Sequence, residues 1–458
     1  MFRDLTQYAE MTWNSFWSAR TPSHWRVQPG LAVLRENRLK NDGLTESQVL
    51  SLSYGQVVVK PVEKQRGLVP ESYEGYQILD PGDIVVRPTD LQNDQTSIRV
   101  GHVKSRGIIT SAYIGLHPSG DWGDSYAFQY LTVVDSSKRI YGMGSGLRQQ
   151  LSWSDLKRMT CLVPPAKEQA AIVKYLAHAN TRIDKAITAK RRLISLLEEL
   201  DRSVENDLAG SISAKTLDSG SIPWLGAMPP VWKSVPAKRL FLEVDRRSTT
   251  GREGLLSLRM REGLVDANKF TETPIPPEAL VGYKIVRPGE LVMNRMRAAI
   301  GLFGVAKTEG LVSPDYSTMT VAAGVDPDFY LHLFKTDVAM AEFRRRSNGL
   351  GTGASGFMRL YYEDFGPISL PLPPAEEQRR VVRLINSQRH ETTPVRSRAR
   401  REIELLQEFR TRLVADVVTG QVDVRAIAAT LPDAPEAFDN SNSALDDELE
   451  EVLSEGEE

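Results

Sequence analysis

Leu162–Gln169 reads LVPPAKEQ, and Pro371–Gln378 reads PLPPAEEQ. Pro164-Pro165 aligns with Pro373-Pro374, and Glu168-Gln169 with Glu377-Gln378, at an offset of 209 residues. Each copy closes an irregular, strand-like region and opens a long polar-apolar periodic run. Solenoid repeats have periods of about 20–50 residues, so a repeat this long marks a duplicated domain. Glu168, Gln169, Glu377 and Gln378 fall in the first turn of the helix that follows. A carboxylate there suits the positive end of the helix dipole.

Other landmarks recur around this pair. TPSHW (Thr21–Trp25) opens the first half and MPPVW (Met228–Trp232) the second. YQILDPGDIVV (Tyr76–Val86) matches YKIVRPGELV (Tyr283–Val292), with a Pro-Gly turn signal between β-rich runs. The acidic residue after the turn, Asp83 or Glu290, keeps its place. GIITSAY (Gly107–Tyr113) matches GLVSPDY (Gly310–Tyr316). Between the landmarks the halves differ freely, which predicts a shared α+β scaffold of short strands carrying two different surfaces. A glycine-rich loop ends each half, GMGSG (Gly142–Gly146) and GLGTGASG (Gly349–Gly356). The second contains a formal G-x-G-x-x-G, but no helical period follows it, which excludes a dinucleotide site.

The runs after Pro-Pro read as long helices. Ile172, Val173, Leu176, Ile183, Ile187, Leu193, Ile194, Leu197, Leu200, Val204 and Leu208 sit at three- and four-residue steps on one stripe. A continuous helix from Ala166 to Leu208 would span about 65 Å, with Gly210 placed to end it. The second run carries Val381, Val382, Leu384, Ile385, Ile403, Leu405, Leu406, Phe409, Leu413 and Val417 and ends near Gly420. Pro394 interrupts it as a kink or as the first turn of a restarted helix. Helices so polar over most of their surface predict an antiparallel coiled coil holding two domains apart. The alternative is that each packs locally on its own domain.

The predicted organisation is an N-terminal helical extension (1–20), a first variable domain (21–163), a spacer helix (164–210), a linker (211–227), a second variable domain (228–372), a second spacer helix (373–425) and an acidic, disordered tail (426–458). The extension is read as helical from the spacing of Phe2, Leu5, Tyr8, Ala9, Phe16 and Trp17. From Asp433 onward there are 11 acidic and no basic residues. The tail is read as solubilising, ahead of docking on a basic partner or imitating DNA. The rest of the chain holds 57 basic against 48 acidic residues, a net +9. That charge is compatible with a polyanionic partner, unless it is spread evenly over a large surface. No apolar run reaches the roughly 18 residues of a membrane span, and no secretory signal is visible. Cys161 is the single cysteine, which excludes an intrachain disulfide and points to a reducing cytoplasm.

No P-loop, H-E-x-x-H or G-x-S-x-G elbow is present, and the six histidines lack metal-ligand spacing. Recognition chemistry remains. Reading base edges needs Arg, Lys, Asn, Gln, Ser and Thr on loops, with further cations on phosphates. The first domain offers Arg87, Thr89, Gln92, Asn93, Gln95 and Arg99, then Lys104, Arg106, Tyr141, Ser145 and Arg148. The second offers Arg259, Arg261, Asn294, Arg295 and Arg297, then Arg344, Arg346, Asn348, Thr352 and Arg359. Any of these alone could be an ordinary solvated group; their concentration in the non-repeating stretches makes them candidates. The arginines of the second helix, among them Arg389, Arg396 and Arg400, fit a solvated face, a partner-docking face or phosphate contacts.

Two variable domains, each closed by Pro-Pro-x-x-Glu-Gln and a long helix, with VVTGQVDVR (Val417–Arg425) ending the second, resemble the specificity subunit, HsdS, of type I restriction-modification systems. The resemblance covers about Thr21 to Arg425. DLAGSIS (Asp207–Ser213) echoes the closing VVTG only weakly, and the N-terminal aromatics and acidic tail lie outside it. It implies that each domain reads one half of a split target in double-stranded DNA and that the helices set the spacer. It also implies two methyltransferase subunits and motor-nuclease subunits as partners, and no membrane. This chain would be non-catalytic and hold no cofactor. S-adenosylmethionine, and ATP and magnesium, would belong to the partners. The alternative is a two-domain protein-binding scaffold without DNA specificity. A salt titration with mixed-sequence DNA separates the two. DNA reading predicts that log K for the assembled complex falls with log salt by about 0.9 per phosphate neutralised; a scaffold predicts no such binding.

Overall fold

The computed structural model describes residues 5–53, 55–60, 73–89, 98–143, 150–213, 221–260, 262–270, 275–349 and 358–435, with backbone alone for 208–213. The chain forms two compact units. One comprises the residues up to Ala189 and the segment beginning at Glu402; the other is Lys190–Arg401. Among the described residues no helix is long and apolar enough to cross a membrane.

In the first unit, β1 (Met11–Asn14) and β2 (Ala19–Pro22) form an antiparallel hairpin. β3 (Arg26–Pro29) leads to β4 (Leu34–Glu36), β5 (Leu50–Ser53), β6 (Gln56–Val59), β7 (Gln77–Leu79), β8 (Ile84–Val86), β9 (Val100–His102), β10 (Gly107–Ile109) and β11 (Ile114–Pro118). Helix α1 (Asp124–Ser136) and β12 (Thr160–Val163) complete the unit before helix α2 (Ala166–Ser213). One sheet runs β4-β11-β8-β9-β6-β5, while β7 pairs β10 and β12 pairs β3.

The second unit repeats this plan. It contains β13 (Lys233–Pro236), β14 (Phe241–Val244), β15 (Leu256–Arg259), β16 (Gly263–Asp266), β17 (Lys284–Val286), β18 (Leu291–Asn294), β19 (Phe303–Val305), β20 (Gly310–Val312) and β21 (Tyr316–Val321). Helices α3 (Pro327–Phe334) and α4 (Asp337–Arg346), then β22 (Ser369–Leu372), precede helix α5 (Ala375–Val418). Its sheet β14-β21-β18-β19 matches β4-β11-β8-β9, β17 pairs β20 as β7 pairs β10, and β13 pairs β22 as β3 pairs β12. Lone parallel bridges recur as well, Val49 to Ile108 and Leu255 to Leu311.

The repeated turn explains itself. Gly82 and Gly289 have φ of 96° and 83°. They follow Pro81 and Pro288, the arrangement a type II turn requires. The recurring acid closes it from within: Asp83 accepts from the Asp80 N–H at 2.8 Å, and Glu290 from the Arg287 N–H at 2.9 Å. Each buried carboxylate also has a cationic-type partner, His117 at 2.8 Å for Asp83 and Arg246 for Glu290.

The Pro-Pro-x-x-Glu-Gln element is the joint between sheet unit and helix. Glu168 accepts the indole N–H of Trp25 at 2.9 Å, and Glu377 that of Trp232 at 2.7 Å. The Gln169 amide donates to the Pro164 carbonyl at 2.8 Å, and Gln378 to Pro373 at 2.8 Å. Their side-chain oxygens accept the backbone N–H groups of Gly123 and Asp326, which lead into α1 and α3. The element therefore does more than cap a helix.

Several expectations need correction. Residues 5–20 hold no helix. The aromatics are divided between inside (Tyr8, Trp17) and outside (Trp13, 64 % exposed), as a hairpin over a core requires. The hairpin belongs to the first unit's core and not to an extension. Helix α2 passes Gly210 and ends at Ser213. The expected linker contributes to the second unit's core, because Ile222 and Leu225 are buried in it. Helix α5 runs through Pro394 without restarting; Pro394 and His390, the carbonyl four residues back, are exposed, so water can satisfy that acceptor. α5 stops at Val418, before Gly420, whose φ is 75° and whose added Cβ would lie 2.3 Å from Pro22.

The long helices pair antiparallel within each unit. In the first, Ile172, Tyr175, Leu176 and Ala179 share a core with Leu413, Val417 and Val418, and Arg410 pairs with Asp184. In the second, Glu198–Arg400 (3.1 Å), Asp201–Arg396 (2.8 Å) and Glu205–Arg389 step in opposite directions along the two helices. These three arginines are thus engaged by the partner helix.

The joint yields a stability prediction. Glu377→Ala leaves the buried Trp232 N–H without its acceptor and should cost about 1–3 kcal/mol. Trp232→Phe combined with Glu377→Ala should cost less than the two changes added separately. Urea unfolding of the four proteins of this cycle measures the coupling; strict additivity would show that the bond contributes nothing.

Candidate nucleic-acid interface

The candidate residues gather at one end of the β8–β9 pair and at the matching end of β18–β19. In the first unit the Arg87 N–H donates to the Arg99 carbonyl at 2.8 Å, extending the ladder beyond Val86 and Val100. Arg99 itself is wholly buried. Its backbone N–H donates to Asp135 at 2.6 Å, its Nε to the Tyr141 hydroxyl at 3.3 Å, and its guanidinium to the Thr89 carbonyl. Arg99 therefore fastens α1 and the Tyr141 turn to the loop after β8, and is withdrawn as a DNA contact. Tyr141, half-buried, carries the Lys138 ammonium 5.0 Å from its ring centre. Arg87 and Thr89 remain half-buried at this edge.

Lys104 and Arg106 do not join this group. They follow β9 at its other end, beside the turn at Pro81-Gly82, where Arg106 pairs with Asp80 and with Glu46 at 3.4 Å. Gln92, Asn93, Gln95, Ser145, Arg148, Arg261 and Thr352 lie outside the described residues, as does most of each glycine-rich loop.

The second unit assembles its candidates more fully. Asn294 is buried, and its side-chain oxygen accepts the N–H groups of Met296 (3.0 Å) and Arg297 (3.2 Å), curling the loop after β18. It shapes that loop and is withdrawn as a base contact. Arg295 donates to the carbonyls of Asp315 and Pro314, each at 2.6 Å, and lies 5.9 Å from the Tyr361 ring centre. It too is largely committed to holding the protein. Arg297 and Arg259 lie within electrostatic reach of Tyr316: burial pushes that phenol up, and both arginines oppose the shift. Arg259 also stacks 3.9 Å from the Phe270 ring centre. Asn348 and Arg359 exchange backbone hydrogen bonds of 2.9 and 2.8 Å, which bring α4's exit beside the Arg295–Arg297 loop. Arg344 is exposed on α4, whereas Arg346 is tied to Glu342 at 3.0 Å.

One residue outside the original candidates has the same placement in the first unit. Leu151 donates its N–H to the Pro88 carbonyl at 3.0 Å, as Leu360 donates to Arg295 at 2.9 Å. Gln150 therefore stands where Arg359 stands, and it is exposed. The 209-residue offset of the Pro-Pro element also separates Gln150 from Arg359, so the register was available in the sequence.

No family model and no curated protein matches the chain. Among solved structures, a chain from work on complex assembly and conformational transition of the type I R-M system aligns with a TM-score of 0.60 at 13 % identity, over 87 % of this chain and 99 % of its own. The HsdS subunit from Thermoanaerobacter tengcongensis aligns at 0.45 with 14 % identity, over 88 % of this chain and 98 % of its own. The type I restriction-modification S subunit from M. genitalium aligns at 0.34 with 12 % identity, over 86 % and 96 %. The first establishes a shared fold.

The sorting of cations is directly measurable. Arg99→Met strands the Tyr141 hydroxyl and the Thr89 carbonyl and should cost roughly 2–4 kcal/mol in urea unfolding. Arg344→Ala, on an exposed helix surface, should stay within about 0.5 kcal/mol. Equal losses from the two would remove the distinction.

Proposed function

We propose that this chain is the DNA-recognition subunit of a type I restriction-modification complex. Each unit reads one half of a bipartite target, and the paired helices set the unread spacer and dock methyltransferase subunits. One observation carries this reading. The two units repeat a topology down to the Trp–Glu joint, yet present different polar side chains at the same strand end. A scaffold held constant while its loops diverge is what reading two unlike half-sites requires. Shared fold with a chain of a type I system supports the assignment to that assembly.

The chemistry follows from this division. Arg, Gln and Asn termini on fixed loops suit base edges in a groove. Surrounding cations suit phosphates and supply salt-dependent affinity. Two readers joined through the paired helices would read two separate positions along the duplex. Methyl transfer from S-adenosylmethionine, and ATP- and magnesium-dependent motor and nuclease work, would belong to the partner subunits.

The test is the methylome of a host carrying the methyltransferase subunits, with and without this chain. One bipartite adenine motif should appear with the chain and vanish without it. Exchanging Thr21–Arg158 for another such domain should alter one half of that motif only. Changes in both halves would contradict the modular reading.

A further inference from the structure

Two demands identify a base-reading side chain. Its backbone must be fixed, so that a base edge is met in one register. Its polar terminus must be largely unspent, so that both hydrogen bonds of a bidentate contact can go to the base. Arg99 and Arg295 meet the first demand and fail the second, because their guanidinium groups are used on backbone carbonyls.

Arg359 meets both. Its backbone is held on one side by the paired bonds with Asn348 and on the other by Leu360, a wholly buried residue bonded to the Arg295 carbonyl. Its side chain is 42 % exposed, and among the described residues its polar contacts are long ones, an ion pair with Asp315 at 3.9 Å and a hydrogen bond to the Met296 sulfur at 3.9 Å. Gln150 occupies the same position in the first unit. It is exposed, and it precedes the buried Leu151, which is bonded to the Pro88 carbonyl. The duplicated scaffold thus presents one position twice, filled once by glutamine and once by arginine. Both are side chains whose geometry separates purines: glutamine, like asparagine, fits adenine N6 and N7, and arginine fits guanine O6 and N7.

We propose that the residue preceding this buried leucine is the specificity-determining position of each unit, Gln150 reading an adenine and Arg359 a guanine. This rests on the DNA-reading function above and adds the residue and base to it.

The experiment compares the methylated motif produced by the complete methyltransferase complex with the wild-type chain, Q150R and R359Q. Q150R should replace adenine by guanine at one position of one half-site, and R359Q guanine by adenine at one position of the other. Each change in preference should be roughly ten- to hundredfold. An unchanged motif in either variant, or changes scattered over both halves, overturns the proposal. If a swap abolishes methylation, Q150A and R359A decide. Relaxation at a single position supports the assignment, and total loss from an assembled complex overturns it. A wild-type complex that yields no bipartite motif removes the DNA-reading function itself, a different outcome from a motif that ignores these substitutions.

Discussion

The indole N–H of Trp25 and that of Trp232 each end on a buried or half-buried carboxylate, and the rest of each unit is arranged around that bond. A carboxylate taken from water must be compensated by hydrogen bonds. Glu168 receives four donors or donor-type partners: Trp25, the Tyr8 hydroxyl at 3.3 Å, His24 at 2.7 Å and Arg425 at 3.4 Å. Burial, and then the charge of Glu168, push the Tyr8 phenol up, so that it stays a protonated donor. Tyr8 and Arg425 come from near the two ends of the described chain. The first joint therefore gathers both ends, through Thr6 bridging Asp423 and Gln421 donating to the Arg20 carbonyl. Among the described residues, Glu377 makes the same indole bond without that second layer.

The two halves of the helix pair are held by different physics. In the first unit the seam, besides the Asp184–Arg410 pair, merges with the apolar core through Leu413, Val417 and Val418, and Tyr126 donates to the Val418 carbonyl at 3.1 Å. In the second it is ionic. Glu205, 5 % exposed, takes both Arg389 and His332. Asp201, 8 % exposed, takes Arg396 and the Thr392 hydroxyl. Buried ion pairs contribute little net stability over an apolar packing, but breaking one costs about 3–5 kcal/mol. Their effect is on register: a slip of one turn would leave Asp201 and Glu205 facing the wrong side chains. Asn206 adds a bond to Asp337 at the start of α4, tying this helix to the second unit's own domain.

What the sequence disclosed was local or repeated. The Pro-Gly turns, the helices after Pro-Pro and the stop at Gly420 follow from backbone rules that need no distant partner. The duplication supplied the topology twice. What escaped depended on contacts far along the chain. Arg99 sits in a polar stretch and looks exposed; only folding brings Asp135 and Tyr141 to it. The first aromatics fit a helical spacing nearly as well as a hairpin, and the core beneath Tyr8 and Trp17 decided between them. Gln150 was passed over because its significance lies in a buried neighbour, Leu151, and in the fold-level alignment of that leucine with Leu360.

Several of the contacts that fix the two reading loops, though not those made to Asp135, Tyr141 and Asn294, have a common property. Arg99 bonds the Thr89 carbonyl, Arg295 bonds those of Pro314 and Asp315, and the Leu151 and Leu360 N–H groups bond those of Pro88 and Arg295. Every acceptor is main chain. A carbonyl is present whatever side chain its residue bears, so these anchors survive replacement of the side chains that project from the loops. The turn acids Asp83 and Glu290 work the same way, accepting backbone N–H groups from residues that differ, Asp80 and Arg287. One scaffold can therefore hold two unlike surfaces in the same chain on shared backbone anchors, to which each unit adds supports of its own, Arg99 with Asp135 in the first and Asn294 with Arg295 in the second. The sequence shows the consequence: landmarks keep their spacing while Arg87-Pro88-Thr89 faces Asn294-Arg295-Met296 across the duplication. The divergence includes side chains that the second unit uses for its own loop, Asn294 and Arg295, but leaves the backbone carbonyls that anchor both loops in place.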